Sequence, residues 1–165
     1  MKEKLYLETS VISYYTARPS RDLILLAHQE ITRQFWEKAL NDFEVFISQA
    51  VVDEITKGDR EAAEKRMNLI KGFSYLAITE NVEKLAELYM KRLGLPSKAY
   101  SDAIHIAVAC NHDIDYLVTW NCSHIANGVI IKQVMKINYE EGKKTPVICT
   151  PEELVEIETS ERPDY

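Results

Sequence analysis

Four polar residues in this sequence have the types and positions that metal-assisted hydrolysis needs: Glu8, Glu54, Asp102 and Asn121. Three of them are carboxylates, and clustered carboxylates repel one another and raise each other's pKa unless a cation joins them. Ligation by oxygen alone favours Mg²⁺ or Mn²⁺ over Zn²⁺. An ion of that kind polarises a phosphodiester, generates hydroxide from water and neutralises the leaving oxygen. If the fold brings these residues together, they predict hydrolysis of phosphodiester bonds.

Each residue also has an ordinary interpretation when it is taken alone. Glu8 ends a short apolar run and could be a solvated strand-end acid, while Glu54 stands on a short helix where a surface position is common. Asp102 is harder to explain, because its neighbours are almost all apolar and a buried aspartate needs a cation or strong hydrogen bonds. His105 lies on the same helical face and either orients Asp102 or packs in the core.

The elements that must position these residues alternate between short β-type runs and helical patterns. Brief runs rich in β-branched or aromatic residues predict strands at 4–7, 43–47, 75–78, 116–118 and 146–148. Apolar spacing predicts helices at 22–40, 49–57, 60–71, 82–93 and 98–111, with two more near 123–138. Ser48, Asp59 and Thr150 are expected to cap helices, the last of them a final helix that begins at Pro151.

This alternation predicts an α/β fold, a single domain with a mainly parallel central sheet flanked by helices. Ligands of such sheets bind beyond the carboxyl ends of the strands. Glu8 follows the first predicted strand, Glu54 lies on the helix after the second, and Asn121 follows the fourth. We therefore expect one edge of the sheet to carry the site.

The length of 165 residues suits one domain, so residues 1–165 are assigned to it, with an acidic C-terminal segment at about 139–165. That segment holds eight acids and three bases, so it carries −5 of the net charge of −6. The negative total argues weakly against a nucleic-acid partner, but the rest of the chain is nearly neutral.

No apolar run approaches the ~20 residues that span a membrane, and the charged N-terminus lacks a signal-peptide core, so we expect a cytoplasmic location. The three cysteines are widely spaced, which predicts buried free thiols.

Four stretches of the chain together resemble the PIN-domain family, and especially its VapC-like toxin ribonucleases. They are LYLETSVISYY (5–15), SQAVVDEI (48–55), SDAIHIAVA (101–109) and LVTWNCSHIAN (117–127). Each stretch is weak alone, but the four occur in order and at suitable spacing. In that family an acid ends the first strand, a Glu follows the second and an Asp opens a helix before the fourth, which correspond to Glu8, Glu54 and Asp102. A fourth polar position, often Asp, corresponds to Asn121.

The resemblance implies an endoribonuclease that depends on Mg²⁺ or Mn²⁺ and is the toxin of a type II toxin–antitoxin pair. Glu8, Glu54 and Asp102 would hold the metal, and Asn121 would orient the attacking water. The resemblance also implies an RNA substrate, a cognate antitoxin protein that holds the toxin inactive, and a homodimer. Two positions depart from the family pattern, because Glu8 is one methylene longer than the usual Asp and Asn121 is neutral. The alternative hypothesis is a catalytically inactive PIN-fold module that binds proteins.

Two other classes of protein are disfavoured by the sequence. The chain has five glycines and no Gly-rich loop after a strand, which argues against a P-loop or dinucleotide-binding fold. A receiver-type phosphoacceptor needs an aspartate at a central strand end, but the second and third strands end at Ser48 and Thr79.

Four basic residues near the motifs either contact substrate phosphates or are solvated surface charges: Arg18, Arg21, Lys57 and Lys98.

Overall fold

The structure is a computed structural model that describes residues 1–155. Its strands are β1 (Lys4–Leu7), β2 (Glu44–Ser48), β3 (Ser74–Leu76), β4 (Tyr116–Val118) and β5 (Val147–Cys149). They form one sheet in the order β3-β2-β1-β4-β5, and every neighbouring pair is parallel. The predicted α/β class and parallel sheet are therefore confirmed. Four of the eight acids in the predicted acidic segment lie at 156–165, outside the described residues.

Seven α-helices flank the sheet within residues 1–155. They are α1 (Thr9–Thr16), α2 (Leu23–Lys38), α3 (Gln49–Ile55), α4 (Arg60–Leu69), α5 (Glu80–Leu93), α6 (Tyr100–Asn111) and α7 (Gly128–Glu140). Three short 3₁₀ helices cover Leu40–Asp42, Ser97–Ala99 and Pro151–Leu154. The predicted pair of helices near 123–138 is wrong, because a turn at 122–126 precedes the single helix α7. Helix α1 was not predicted from the sequence, because its β-branched and aromatic residues are weak helix formers.

Local capping explains where several helices begin and end. The Asp59 side chain accepts a hydrogen bond from the backbone N–H of Ala62, so the predicted cap of α4 is confirmed. Thr150 forms a capping box with Glu153, although the element it begins is a short 3₁₀ helix. The α5 helix ends at Gly94, whose φ of 62° is the left-handed conformation that favours glycine.

The prediction for Ser48 is only half right. This residue occupies the N-cap position of α3, but its side chain makes no capping bond. Its hydroxyl instead lies 2.7 Å from the hydroxyl of Tyr6 on the neighbouring strand. Ser48 therefore links β2 to β1 beneath the carboxyl edge of the sheet.

The central position of β1 fixes the core and the site together. Leu5, Tyr6 and Leu7 are fully buried, because β1 is paired on both edges and covered on both faces. The α6 helix is almost as deep, since residues 103–110 are all buried. The carboxyl ends of β1, β2 and β4 meet at one edge of the sheet, so the chain segments that follow them lie side by side.

Two findings concern the surface and the thiols. No helix in the described part of the chain is both long and apolar enough to cross a membrane. The three cysteines are free; Cys110 and Cys149 are buried, but Cys122 is exposed, so the prediction of a buried thiol is wrong for Cys122.

Candidate functional site

Glu8 leaves the end of β1 and turns back over the first turn of α1. Its backbone N–H donates to the carbonyl of Val118 at 3.1 Å, which continues the pairing of β1 with β4. Its Oε2 accepts hydrogen bonds from the Ser10 N–H at 3.1 Å, from the Ser10 hydroxyl, and from the Thr119 hydroxyl at 2.7 Å. Glu8 is only 4% exposed. It is therefore not the solvated strand-end acid of the ordinary interpretation.

Glu54 approaches Glu8 from α3 and is also held through one oxygen. Its Oε1 accepts hydrogen bonds from the His105 Nε2 at 2.5 Å, the Ser101 hydroxyl at 3.1 Å and the Thr9 hydroxyl at 3.2 Å. Burial raises the pKa of the Glu54 carboxyl, but these three donors outweigh the burial and leave the pKa below its usual value. Glu54 is therefore a carboxylate at neutral pH.

His105 is fully buried, and both of its ring nitrogens are engaged. Nε2 donates to Glu54, while Nδ1 lies 2.8 Å from the hydroxyl of Tyr6. Burial raises the pKa of the Tyr6 phenol, so this hydroxyl stays protonated and bridges His105 to Ser48. The structure thus connects His105 to Glu54 and not to Asp102, which corrects the proposed orienting role.

The charge on His105 follows from its neighbours. Burial lowers the pKa of the imidazole, but the hydrogen bond to Glu54 and the negative charges of Glu8, Glu54 and Asp102 outweigh burial and leave the pKa raised. The hydrogen bond between Glu54 and His105 lowers the pKa of the Glu54 carboxyl and raises the pKa of the His105 imidazole. The Glu54 carboxylate and the His105 Nε2–H therefore stabilise each other.

Asp102 lies in the first turn of α6, where the helix dipole favours a carboxylate. Its Oδ2 is 2.9 Å from Nδ1 of His124, and the two side chains are 18% and 28% exposed. His124 belongs to the turn at 122–126. Asp102 therefore has a hydrogen-bonding partner that was not among the predicted site residues, although His124 lies within the fourth motif stretch.

Asn121 shapes the turn that presents His124. Its Oδ1 accepts the backbone N–H of His124 at 3.0 Å, and its own N–H donates to the Thr119 hydroxyl at 2.9 Å. Because the Thr119 hydroxyl also donates to Glu8, a chain of hydrogen bonds runs from Asn121 to the carboxylate. In the described residues the Nδ2 group of Asn121 has no protein partner.

Of the four predicted site residues, Glu8 and Glu54 belong to one cluster, whereas Asp102 and Asn121 lie outside it. Candidate ligand atoms of Glu8, Glu54 and His105 all lie within 4.8 Å of one another. The Asp102 carboxylate does not belong to this cluster and faces His124 instead. Asn121 is joined to the cluster through Thr119.

The hydrogen bonding leaves one oxygen on each carboxylate available. Within residues 1–155, no protein group bonds to Glu8 Oε1, Glu54 Oε2 or Asp102 Oδ1. Every buried side-chain N or O atom described has a hydrogen-bonding partner, so these three oxygens are reached by solvent. Two carboxylates this close repel each other, and a cation bound between them would remove that repulsion. The donor set is oxygen-rich and partly exposed, which fits a hard divalent ion such as Mg²⁺ or Mn²⁺.

The four candidate phosphate contacts are all exposed. Lys57 lines a groove of about 280 Å³ that also includes Glu54, Tyr100 and Ser101. Arg18 lines a separate groove of about 480 Å³ between α1 and α4. Lys57 therefore shares a groove with a site carboxylate.

Comparison with known proteins gives a match by sequence and a match by fold. A family model described as PIN domain matches residues 5–121. No curated protein matches the chain. The crystal structure of VapBC2 from Rickettsia felis bound to a DNA fragment from their promoter contains a similar chain, with a TM-score of 0.58 and 12% identity over 89% of this chain and 98% of that one. VapC20 from Mycobacterium tuberculosis, a Sarcin-Ricin loop cleaving toxin, gives a TM-score of 0.57 and 17% identity over 72% of this chain and 91% of that one. At these identities the likeness is one of fold.

Proposed function

This chain belongs to the PIN domain family, and from that premise we propose that it is a divalent-metal-dependent endoribonuclease, the toxin of a type II toxin–antitoxin pair. The observation that carries the proposal is the pairing of Glu8 with Glu54. Each of these carboxylates is fixed through one oxygen and offers the other. Two carboxylates held this close repel each other, and a cation bound to their free oxygens would remove that repulsion.

The proposed ligands are Glu8, Glu54 and Asp102, with Mg²⁺ or Mn²⁺ as the ion. When bound, such an ion supplies Lewis acidity toward the phosphodiester and lowers the pKa of water. The protein residues do the positioning: Ser10 and Thr119 fix Glu8, and His124 holds Asp102. Asn121 has a free amide group in the described residues, and its proposed role is to orient the attacking water.

His105 belongs to the support of the site in this proposal and not to its ligands. Its Nε2–H is used by Glu54, and its Nδ1 is used by Tyr6. A histidine with both nitrogens engaged has no lone pair left for a metal. The ligand set is therefore oxygen only, which favours Mg²⁺ or Mn²⁺ over Zn²⁺.

The proposed substrate is RNA, and the proposed place of action is the cytoplasm. VapC20, which shares the fold, is a Sarcin-Ricin loop cleaving toxin, so a structured RNA with an exposed loop is a suitable first substrate. The exposed Arg18, Arg21, Lys57 and Lys98 are the proposed phosphate contacts.

Purified protein should cut loop-containing RNA in Mg²⁺ or Mn²⁺ and stop when EDTA is in excess. Glu54→Gln is the matched variant, because it keeps the size of the side chain and removes the charge. Undiminished cleavage in excess EDTA would exclude the metal mechanism. If wild type binds Mn²⁺ yet cuts no RNA tested, the inactive PIN-fold module becomes the better hypothesis.

The proposed protein partners are a cognate antitoxin and a second copy of the chain. Carboxylates with free, solvent-reached oxygens suit an antitoxin segment that inserts an Arg or Lys side chain. Co-expression with the adjacent small gene, followed by pull-down, tests the antitoxin, and analytical ultracentrifugation tests the homodimer. A failure to form any complex, together with normal growth on expression, would contradict the toxin assignment and leave the nuclease assignment standing.

A further inference from the structure

Three nearly parallel aromatic rings lie beside the carboxylate cluster: Tyr14 on α1, His28 on α2 and Trp120 after β4. His28 stacks on Trp120, with ring centroids 4.1 Å apart and planes inclined by 14°. The Tyr14 ring is 6.1 Å from Trp120 and 6.5 Å from His28, with planes within 17° of parallel. At these longer distances the Tyr14 ring is stacked with an offset, so it lies beside the His28–Trp120 pair and widens the flat surface. We call these three residues the aromatic platform.

The aromatic platform is partly exposed. Tyr14 and His28 are half-buried, whereas Trp120 is 8% exposed and forms the base of the stack. Core aromatic side chains such as Tyr6 and Phe35 are fully buried by comparison. The platform therefore combines one buried ring with two residues that are partly open to solvent.

Hydrogen bonds hold the platform at a fixed position relative to Glu8. The Trp120 indole N–H donates to the Thr32 hydroxyl at 2.7 Å, which fixes the ring against α2. The Trp120 backbone N–H donates to the Ser10 hydroxyl at 2.8 Å, and that same hydroxyl donates to Glu8. One serine thus ties the stacking surface to the proposed metal ligand.

Positive charge lies on the chain segment that joins the two platform helices. Arg18 and Arg21 lie in the segment between α1 and α2, the two helices that carry Tyr14 and His28. Both are exposed, and neither forms a salt bridge with any of residues 1–155. A planar aromatic surface, with two guanidinium groups on the segment that joins its helices, matches a nucleotide, which presents a flat base and a negative phosphate.

We propose that the aromatic platform binds one unpaired base of the RNA substrate by stacking, with Tyr14 as its main contact. The proposal rests on the proposed ribonuclease function and names how the substrate is held. Proteins recognise single-stranded RNA by stacking splayed bases on aromatic side chains. The link through Ser10 to Glu8 places the bound base at a fixed distance from the site of cleavage. A peptide segment of a protein partner is the competing occupant, but the flat stack of rings and its hydrogen-bonded link to the proposed metal ligand favour a nucleotide.

The test is a binding measurement in EDTA, so that no cleavage occurs. Trp36→Phe leaves Trp120 as the single tryptophan, because the chain has two. Short single-stranded oligo(A) and oligo(U) should change the Trp120 fluorescence, while an abasic oligomer of the same length and charge should not. In otherwise wild-type protein, anisotropy of labelled oligo(A) measures the same binding without the Trp36 change. Tyr14→Ala should weaken that binding about tenfold or more, since stacking on one aromatic side chain contributes on that scale.

Two controls separate stacking from loss of structure. Tyr14→Phe keeps the ring and should bind oligo(A) within about twofold of wild type, while Tyr139→Ala removes a tyrosine that is 88% exposed and should bind like wild type. Equal binding of the abasic and base-containing oligomers, or unchanged binding by Tyr14→Ala, would overturn the proposal. A Trp120 signal that responds to a co-purified protein partner and to no oligonucleotide would overturn it in favour of the peptide. If the platform binds bases but Mg²⁺ supports no cleavage, the nuclease proposal fails while the platform stands.

Discussion

Tyr6→Phe removes one hydroxyl from beneath the site and touches none of the proposed metal ligands. The Tyr6 hydroxyl is fully buried and contacts two groups, Ser48 Oγ at 2.7 Å and His105 Nδ1 at 2.8 Å. Its loss leaves the buried Nδ1 without a partner. His105 is then free to change tautomer or tilt, and its donation to Glu54 weakens.

The size of two effects can be worked out from these contacts. A buried polar group left without its partner costs about 1–3 kcal/mol of stability. In a domain of this size, each kcal/mol lowers the melting temperature by about 2–4 °C. Loss of an outer hydrogen-bonding partner of a metal site lowers metal affinity by about 10–100-fold. In Tyr6→Phe we expect the loss of stability in full and a fall in metal affinity of about tenfold, the lower end of that range, because Tyr6 acts on Glu54 only through His105.

The matched control is Tyr89→Phe. Tyr89 is also fully buried, and its hydroxyl bonds to the side chain of Asn138, which links α5 to α7 away from the carboxylates. This variant should lose a similar amount of stability and keep wild-type metal binding. Thermal unfolding without metal and Mn²⁺ titration followed by EPR measure the two quantities separately. If Tyr6→Phe and Tyr89→Phe bind Mn²⁺ equally well, the hydrogen-bonded chain from Tyr6 to Glu54 has no role in the metal site.

The remaining predictions concern the proposed ligands themselves. In Glu8→Gln the amide oxygen should take the hydrogen bonds from Ser10 and Thr119, which turns the NH₂ group toward the ion, so metal binding and cleavage should fall together. Glu8→Asp restores the residue usual in the family and should retain or raise activity; unchanged metal dependence in Glu8→Gln would remove Glu8 from the ligand set. Asp102→Asn should be at least as damaging as Glu8→Gln in the same Mn²⁺ titration and cleavage assay, and a milder effect would mean that Asp102 serves only to pair with His124.

Much of the fold could be predicted from the sequence because its elements have strong local patterns. The strands at 4–7 and 116–118 have the predicted bounds, since short β-branched and aromatic runs are bounded by polar residues. The α5 helix ends at Gly94 as its sequence indicates. In contrast, α1 was missed because Val11, Ile12, Tyr14 and Tyr15 favour strands when they are judged alone. Its helical form depends on packing against α2 and on the cap that Glu8 provides.

The candidate site was harder to predict than the fold. That Glu8 and Glu54 lie together follows from their places after β1 and β2 in a parallel sheet. The partners of each carboxylate do not follow, because they come from segments far apart in the chain. His105 is 51 residues from Glu54, and His124 is 22 residues from Asp102. The sequence indicates an unusual aspartate in an apolar helix, but only the tertiary structure shows which histidine pairs with which acid.

The most direct test of the central claim is the mapping of RNA ends after induced expression of wild type and of Asp102→Asn. The two proteins should be expressed at equal levels, and all new 5′ and 3′ ends sequenced. We predict that wild type produces new ends at a small set of unpaired positions and that Asp102→Asn produces none of them. The same ends in both samples, or no new ends in wild type despite arrested growth, would contradict an endoribonuclease built on these carboxylates.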